Sequence, residues 1–271
     1  MALLGVSGGQ IKRNCRIKVY PDGRIAEVLA CSLAQWAPPG WELSDRPEKR
    51  ESTYIGAGSP DEGRRARRRA RKRVIDLVNC NTDMDVFWTL TLREGATTET
   101  GQAIGRTDYK ALNRKLQQWL ADRVRRRGLK YVAVYEYHDR VEDDGLRALH
   151  VHGVANHSAL RLVDSKKKYK DKEGHWHKIY NVADWTLGHT TAMYMYGDRR
   201  RAINYVAKYI YKSEKAVGGR WYMHSHNLLE PTYEYVDVDF CAAPGRVIPI
   251  AEAGCCYKYI NPDDLAQIVI S

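Results

Sequence analysis

Two stretches of alternating residues, Tyr131 to His138 and Arg147 to Ala155, flank a turn from Val141 to Gly145 that contains Asp143-Asp144-Gly145. Alternation with a period of two marks strands that each have one covered face, and an Asp-Gly turn between two such runs marks a β-hairpin. This feature commits the chain to an antiparallel sheet, and the remaining patterns fit around it. Phe87-Trp88-Thr89-Leu90-Thr91-Leu92 is β-branched and aromatic and reads as a further strand. Leu112, Leu116, Trp119, Leu120 and Val124 recur at helical spacing over 108–127, and Gly128 ends that helix. A helix is also expected over 61–79, capped by Asp61 or Ser59, and another over 199–214. The expected class is therefore α+β, a central antiparallel sheet flanked by helices.

Around this core, residues 1–60 are rich in turn-formers (Pro21-Asp22-Gly23, Pro38-Pro39-Gly40) and read as an irregular arm with room for one short hairpin. The core is expected over 61–216. It is interrupted at 156–196 by a polar insertion carrying Lys166 to Lys170, a surface loop or small subdomain. Residues 217–271 read as a C-terminal extension of the core with short strand-like runs.

The 271 residues carry 44 Lys+Arg against 33 Asp+Glu, a net charge of +11, and 44% of them are hydrophobic. That apolar content excludes wholesale disorder. No uncharged apolar run approaches the ~20 residues of a membrane helix. Met1 to Gln10 lacks a basic start and a long apolar stretch, so no secretory signal is expected, and a soluble cytoplasmic protein with no membrane partner is. Cys15, Cys31, Cys80, Cys241, Cys255 and Cys256 form no CxxC pair and read as reduced packing thiols. The absence of GxxxxGK[ST] argues against a built-in P-loop motor.

A positive balance attracts polyanions, of which nucleic acid is the commonest. Its densest part is Arg64, Arg65, Arg67, Arg68, Arg69, Arg71, Lys72 and Arg73, eight basic residues in ten. Solubility alone demands far fewer, so phosphate contact is preferred over a merely solvated helix face. Arg123, Arg125, Arg126 and Arg127 are expected to add to that grip.

In Leu149-His150-Val151-His152, residues two apart point to one face, so His150 and His152 stand side by side while Leu149 and Val151 enter the core. Two imidazoles at that spacing can hold one divalent cation. The hairpin turn brings Glu136 opposite His150 as the natural third ligand, with His138 as the runner-up. Two further pairs share the spacing, His175-Trp176-His177 and His224-Ser225-His226. They lack an apolar strand frame or a facing acid, which makes them controls rather than candidates.

In Arg201 to Lys212, Ala202, Ile203, Val206, Ala207 and Ile210 form an apolar stripe. Tyr205 and Tyr209 lie one turn apart on the other side, each followed three residues later by a lysine, Lys208 and Lys212. A phenol with a pKa of ~10 is a poor nucleophile unless cations stabilise the phenolate. A metal-held phosphate is the matching electrophile. Paired histidines, a carboxylate and paired Tyr-x-x-Lys units point to phosphotyrosine chemistry on nucleic acid.

In chain order, Phe87-Trp88-Thr89-Leu90-Thr91, His150-Val151-His152 and Tyr205-Val206-Ala207-Lys208-Tyr209 resemble the three motifs of the HUH endonucleases, over about residues 61–216. Within that superfamily the chain is most similar to the two-tyrosine rolling-circle replication initiators of small single-stranded DNA phages. The resemblance implies a ferredoxin-like or RRM-like core and a third ligand in the strand before the histidines, which matches Glu136. It implies Mg²⁺ or Mn²⁺ on His150, His152 and Glu136, and nicking and rejoining of single-stranded or locally melted origin DNA through a 5′-phosphotyrosine. It also implies work alongside a host helicase and polymerase in a bacterial cytoplasm. Competing readings are another HUH enzyme, a relaxase or single-strand transposase, and a non-catalytic basic nucleic-acid-binding protein.

Overall fold

The computed structural model describes residues 12–36, 60–93, 96–97, 101–105, 107–142, 145–195, 199–212, 219–250 and 254–270. In chain order they form β1 (Cys15–Val19), β2 (Ile25–Cys31), α1 (Pro60–Cys80) and β3 (Met84–Thr91), then the short β4 (Ala96–Thr97) and β5 (Ala103–Ile104). There follow α2 (Tyr109–Arg127), β6 (Tyr131–Val141), β7 (Arg147–Asn156), β8 (Leu162–Lys170), β9 (Trp176–Val182) and β10 (Thr190–Tyr194). After α3 (Arg199–Lys212) come β11 (Met223–His224), β12 (Thr232–Val236), β13 (Val247–Ile250), β14 (Cys255–Ile260) and the single turn α4 (Leu265–Ile268). The class is α+β, as expected. None of the described helices is long and apolar enough to cross a membrane.

The chain divides into two compact units, one of residues 57–229 and one combining 1–56 with 230–271. The larger contains an antiparallel sheet in the order β11-β6-β7-β3-β10-β9-β8. Alternation along the central strands splits their side chains between two cores. On one side Trp88, Leu90, Tyr135, Leu149 and Val151 pack with Leu112, Leu116 and Leu120 of α2. On the other, Phe87, Val132, Val134 and Val154 pack with Val74, Leu77 and Val78 of α1 and Ile203, Val206 and Ile210 of α3. Full burial of each such aliphatic side chain stabilises by about 1.5–3 kcal/mol, so both helix layers are held chiefly by this apolar contact. Local signals set the ends of α2. The Asp108 side chain accepts from the Ala111 N–H, and Gly128, at φ +65°, takes the left-handed turn that closes the helix.

In the smaller unit the sheet order is β12-β1-β2-β14-β13. Its core is built from Cys15, Ile17, Val28, Ala30, Val238 and Ile260. Lys258 is buried there, its ammonium donating to the carbonyls of Phe240 and Ala243, each at 2.8 Å.

Two sequence expectations differ from this arrangement. The arm at 1–60 does hold one hairpin, β1–β2, but that hairpin pairs with β12 and β14, so residues 230–271 build a second sheet rather than extend the first. These partners lie more than two hundred positions apart, and local periodicity carries no trace of such pairing. The 156–196 stretch is not a loop either: β8, β9 and β10 continue the main sheet, and β10 lies directly beside β3.

Candidate active site

The β6–β7 register places Glu136 directly opposite His150 and Val134 opposite His152. On the other flank of β7, Thr89 faces His152 and Thr91 faces His150. Leu149 and Val151 point into the α2 core, so the two imidazoles project on the side covered by α1 and α3. His152 Nε2 lies 2.7 Å from Glu136 Oε2, and its Nδ1 lies 3.0 Å from Thr89 Oγ1. Since an ionised carboxylate only accepts, Nε2–H donates to Glu136 and Nδ1 accepts from the Thr89 hydroxyl.

One ligand atom from each of Glu136, His150 and His152 lies within 4.8 Å of the others. A cation bonded at ~2.1 Å to each donor spans donors up to ~4.2 Å apart, so sub-ångström side-chain shifts suffice to close the triad on one ion. Two imidazoles and one carboxylate form a donor set suited to a borderline divalent metal, and the residues therefore fit the cation that the sequence implies. This is the one such group of three among the described residues. His138, the runner-up ligand, lies beside the triad with its ring centroid 4.8 Å from that of His150. The control pairs gather no comparable set: His177 Nε2 is bound at 2.6 Å to Asp171 in the turn ahead of it, and His224 Nδ1 meets the Ser225 carbonyl.

α3 brings the tyrosine motif to the same place. The ring of Tyr209 lies face to face with His152, centroids 3.9 Å apart and planes 8° apart, and Phe87 stacks near the imidazole at 5.9 Å. Tyr209 is only 5% exposed, which corrects the expectation that it stands away from the buried side of the helix. The sheet face beneath α3 is itself polar at this point, so an aromatic residue at the border of the apolar stripe packs on an imidazole rather than on solvent. Lys208, one position earlier, is exposed. Tyr205 stands one helical turn before Tyr209, and the side chains of Tyr205 and Lys212 lie outside the described residues.

Sequence reasoning missed Thr89 as a partner of His152. The signal was present, since Phe87, Thr89 and Thr91 alternate onto one face of β3, but which histidine each would meet depended on the β3–β7 register.

The cations divide between the two sides of the sheet. α1 packs on the same side as the triad. Arg64, Arg65, Arg68, Arg69 and Lys72 are exposed and Arg67, Arg71 and Arg73 half-buried, while Ala70, Val74, Leu77 and Val78 face inward. Arg71 donates to Asn204 Oδ1 of α3 at 3.0 Å, and the Arg67 guanidinium lies 5.6 Å from the Trp221 ring centroid. Arg123, Arg125, Arg126 and Arg127 belong instead to α2, beyond the sheet from the histidines. Asp122 meets Arg123 at 2.9 Å, Arg125 at 3.4 Å and Arg126 at 2.6 Å, and Asp184 meets Arg127 at 2.9 Å. Their expected joint grip with α1 is thereby corrected: the two clusters lie on opposite sides, and acids partly offset the second.

No curated protein and no solved structure gives a match to this chain. A family model does, and it covers the stretch from β3 to α3 that holds all three motifs. Residues 85–214 match the family of replication-associated proteins of the ORF2 and gene-2-protein type, which supports a role in DNA replication as a rolling-circle initiator.

Proposed function

We propose that this chain is a metal-dependent, site-specific single-strand DNA endonuclease and strand transferase that initiates and terminates rolling-circle replication of a phage or plasmid. The observation that carries the reading is the stack of Tyr209 on His152, which joins the nucleophile helix to the ligand triad of the sheet. Similarity of residues 85–214 to replication-associated proteins supports the substrate class.

Glu136, His150 and His152 would hold Mg²⁺ or Mn²⁺, which when bound polarises the phosphoryl oxygens of the scissile phosphate. The phenol oxygen of Tyr209 or Tyr205 attacks phosphorus and gives up its proton. The P–O3′ bond breaks, and the departing oxygen takes up a proton. The products are a 5′-phosphotyrosine and a free 3′-OH that a host polymerase can extend. Lys208 and Lys212 favour the phenolate or steady the phosphate by their charge. After one round the second tyrosine cuts the regenerated origin in the same way, and the 3′-OH so released attacks the first phosphotyrosine and closes a circle. Each step exchanges one phosphoester for another, so nicking and rejoining consume no ATP. Strand opening falls to a host helicase. The exposed cations of α1, on the triad's side of the sheet, hold the DNA backbone, and binding weakens steeply with salt.

The test is covalent adduct formation with labelled single-stranded origin DNA and Mn²⁺. Tyr205→Phe and Tyr209→Phe each impair the adduct and the double change abolishes it. An adduct that persists in the double variant would exclude both tyrosines.

A further inference from the structure

We propose that the β8–β9 hairpin is a second nucleic-acid contact, in which Trp176 stacks on an unpaired base and Lys168, Lys170 and Lys178 hold the adjoining phosphates of single-stranded DNA. The proposal rests on the DNA substrate inferred above and adds a site remote from the phosphotyrosine chemistry.

The register pairs Lys168 with Lys178 and Lys170 with Trp176. Cross-strand partners and residues two apart share a face, so three lysines and one tryptophan occupy a single patch. Trp176 is 65% exposed, the most exposed of the described large hydrophobic side chains, and the Lys170 ammonium lies 6.0 Å from its ring centroid. Two features of the patch work against the isolated protein. Lysines directly opposite one another repel, and Asp164, 3.4 Å from Lys178, offsets only part of that charge. An indole in water forgoes the burial that a core position would give it. Lysines on β8 alone have an ordinary explanation, because charge on an outer strand deters pairing with other chains. That explanation reaches neither Lys178 nor Trp176, which lie on β9, an inner strand of the sheet. A polyanion with exposed bases relieves both costs at once, through phosphate on the ammonium groups and a base on the indole. A duplex offers no free base face, which selects the single strand.

The tip is built to hold this patch still. Asp171 accepts from the His175 N–H at 2.7 Å and from His177 Nε2 at 2.6 Å, and Gly174 turns the chain at φ +94°. On the register Tyr180–Ala192–Trp88, the patch lies on α2's side of the sheet, away from His150 and His152. The DNA it holds is therefore outside the scissile step.

The experiment measures anisotropy of labelled oligothymidylate and of a duplex of equal length, without metal, for the wild type, Trp176→Ala and the triple Lys168→Gln/Lys170→Gln/Lys178→Gln variant. Trp176→Ala weakens single-strand binding about tenfold, the usual loss of one stacked base, and affects the duplex less. The triple variant lowers the slope of log affinity on log salt by about 2, at ~0.7 per phosphate contact. Melting temperatures check that the variants fold, and adduct yield at saturating origin DNA stays at the wild-type level. Single-strand affinity within twofold of wild type, an unchanged salt slope, or an equal loss on duplex overturns the proposal. Because adduct yield is read separately, such a failure leaves the tyrosine chemistry standing, whereas an adduct surviving loss of both tyrosines defeats that chemistry alone.

Discussion

Replacing Thr89 by valine keeps a β-branched side chain in β3 but removes the hydroxyl that lies 3.0 Å from His152 Nδ1. The consequence falls on metal binding. A neutral imidazole that ligates through Nε2 must carry its proton on Nδ1, so on metal binding the Thr89 hydroxyl changes from donor to acceptor, as a freely turning O–H can. In the valine variant the metal-free ring can still settle its tautomer against Glu136, whereas the ligating ring is fixed with an unpartnered Nδ1–H. His152 is only 6% exposed, so water replaces that partner poorly. An unsatisfied buried donor costs about 1–3 kcal/mol, which agrees with the ~10–100-fold loss of affinity usual when the outer partner of a ligating histidine is removed. Calorimetric titration with Mn²⁺ reads this directly. Thr91→Val is the control: it lies two residues along the same face, but its hydroxyl engages the backbone of His189. Equal Mn²⁺ affinity in Thr89→Val and wild type, or the same loss in both variants, refutes the assigned role of Thr89.

Two further outcomes follow from packing and charge. A Cβ on Gly153 would lie 2.4 Å from the Trp88 ring and 2.9 Å from the Val132 carbonyl, so Gly153→Ala should destabilise by about 1–3 kcal/mol in denaturant unfolding, and wild-type stability would show that the sheet yields there. Hydrogen bonds from His177 and His175 hold the Asp171 carboxyl down at about 2, against an ordinary 3.8. A depressed carboxyl pKa stabilises above the unfolded value and loses that contribution as pH falls through the folded one, so amide signals of residues 171–177 should hold their positions above pH ~4 and shift between ~4 and ~2. Signals that stay constant down to pH 2 would remove Asp171 as the tie of the hairpin tip.

The charge cluster on α1 and the patch on β8–β9 assign different tasks to different basic residues. The arginine helix packs on α3, with Arg71 bonded to Asn204, so backbone contacts made by its exposed face belong with the chemistry. The α2 arginines are tied to Asp122 and Asp184. Net charge alone would treat all three groups alike.

The parts of this molecule that follow from short-range physics were legible in the chain itself. Alternation and an Asp-Gly turn defined the β6–β7 hairpin, and counting outward from that turn put Glu136 opposite His150, which is the observed register. Period-two geometry put both imidazoles on one face, and helical spacing with a terminal glycine defined α2. Each of these depends on residues within about twenty positions of one another. What depended on distant contacts was not legible. Whether Tyr209 faces solvent or an imidazole is decided by where α3 settles on the sheet, and a helical wheel knows nothing of the polar floor beneath it. Thr89 became a partner of His152 only through a strand pairing that spans more than sixty positions. The β1–β2 hairpin reads as an arm until β12 and β14, from the other end of the chain, supply its neighbours. Local sequence carries the conformational preference of each segment, whereas the choice among partners for its exposed edges and faces is made by burial and hydrogen bonding over the whole fold.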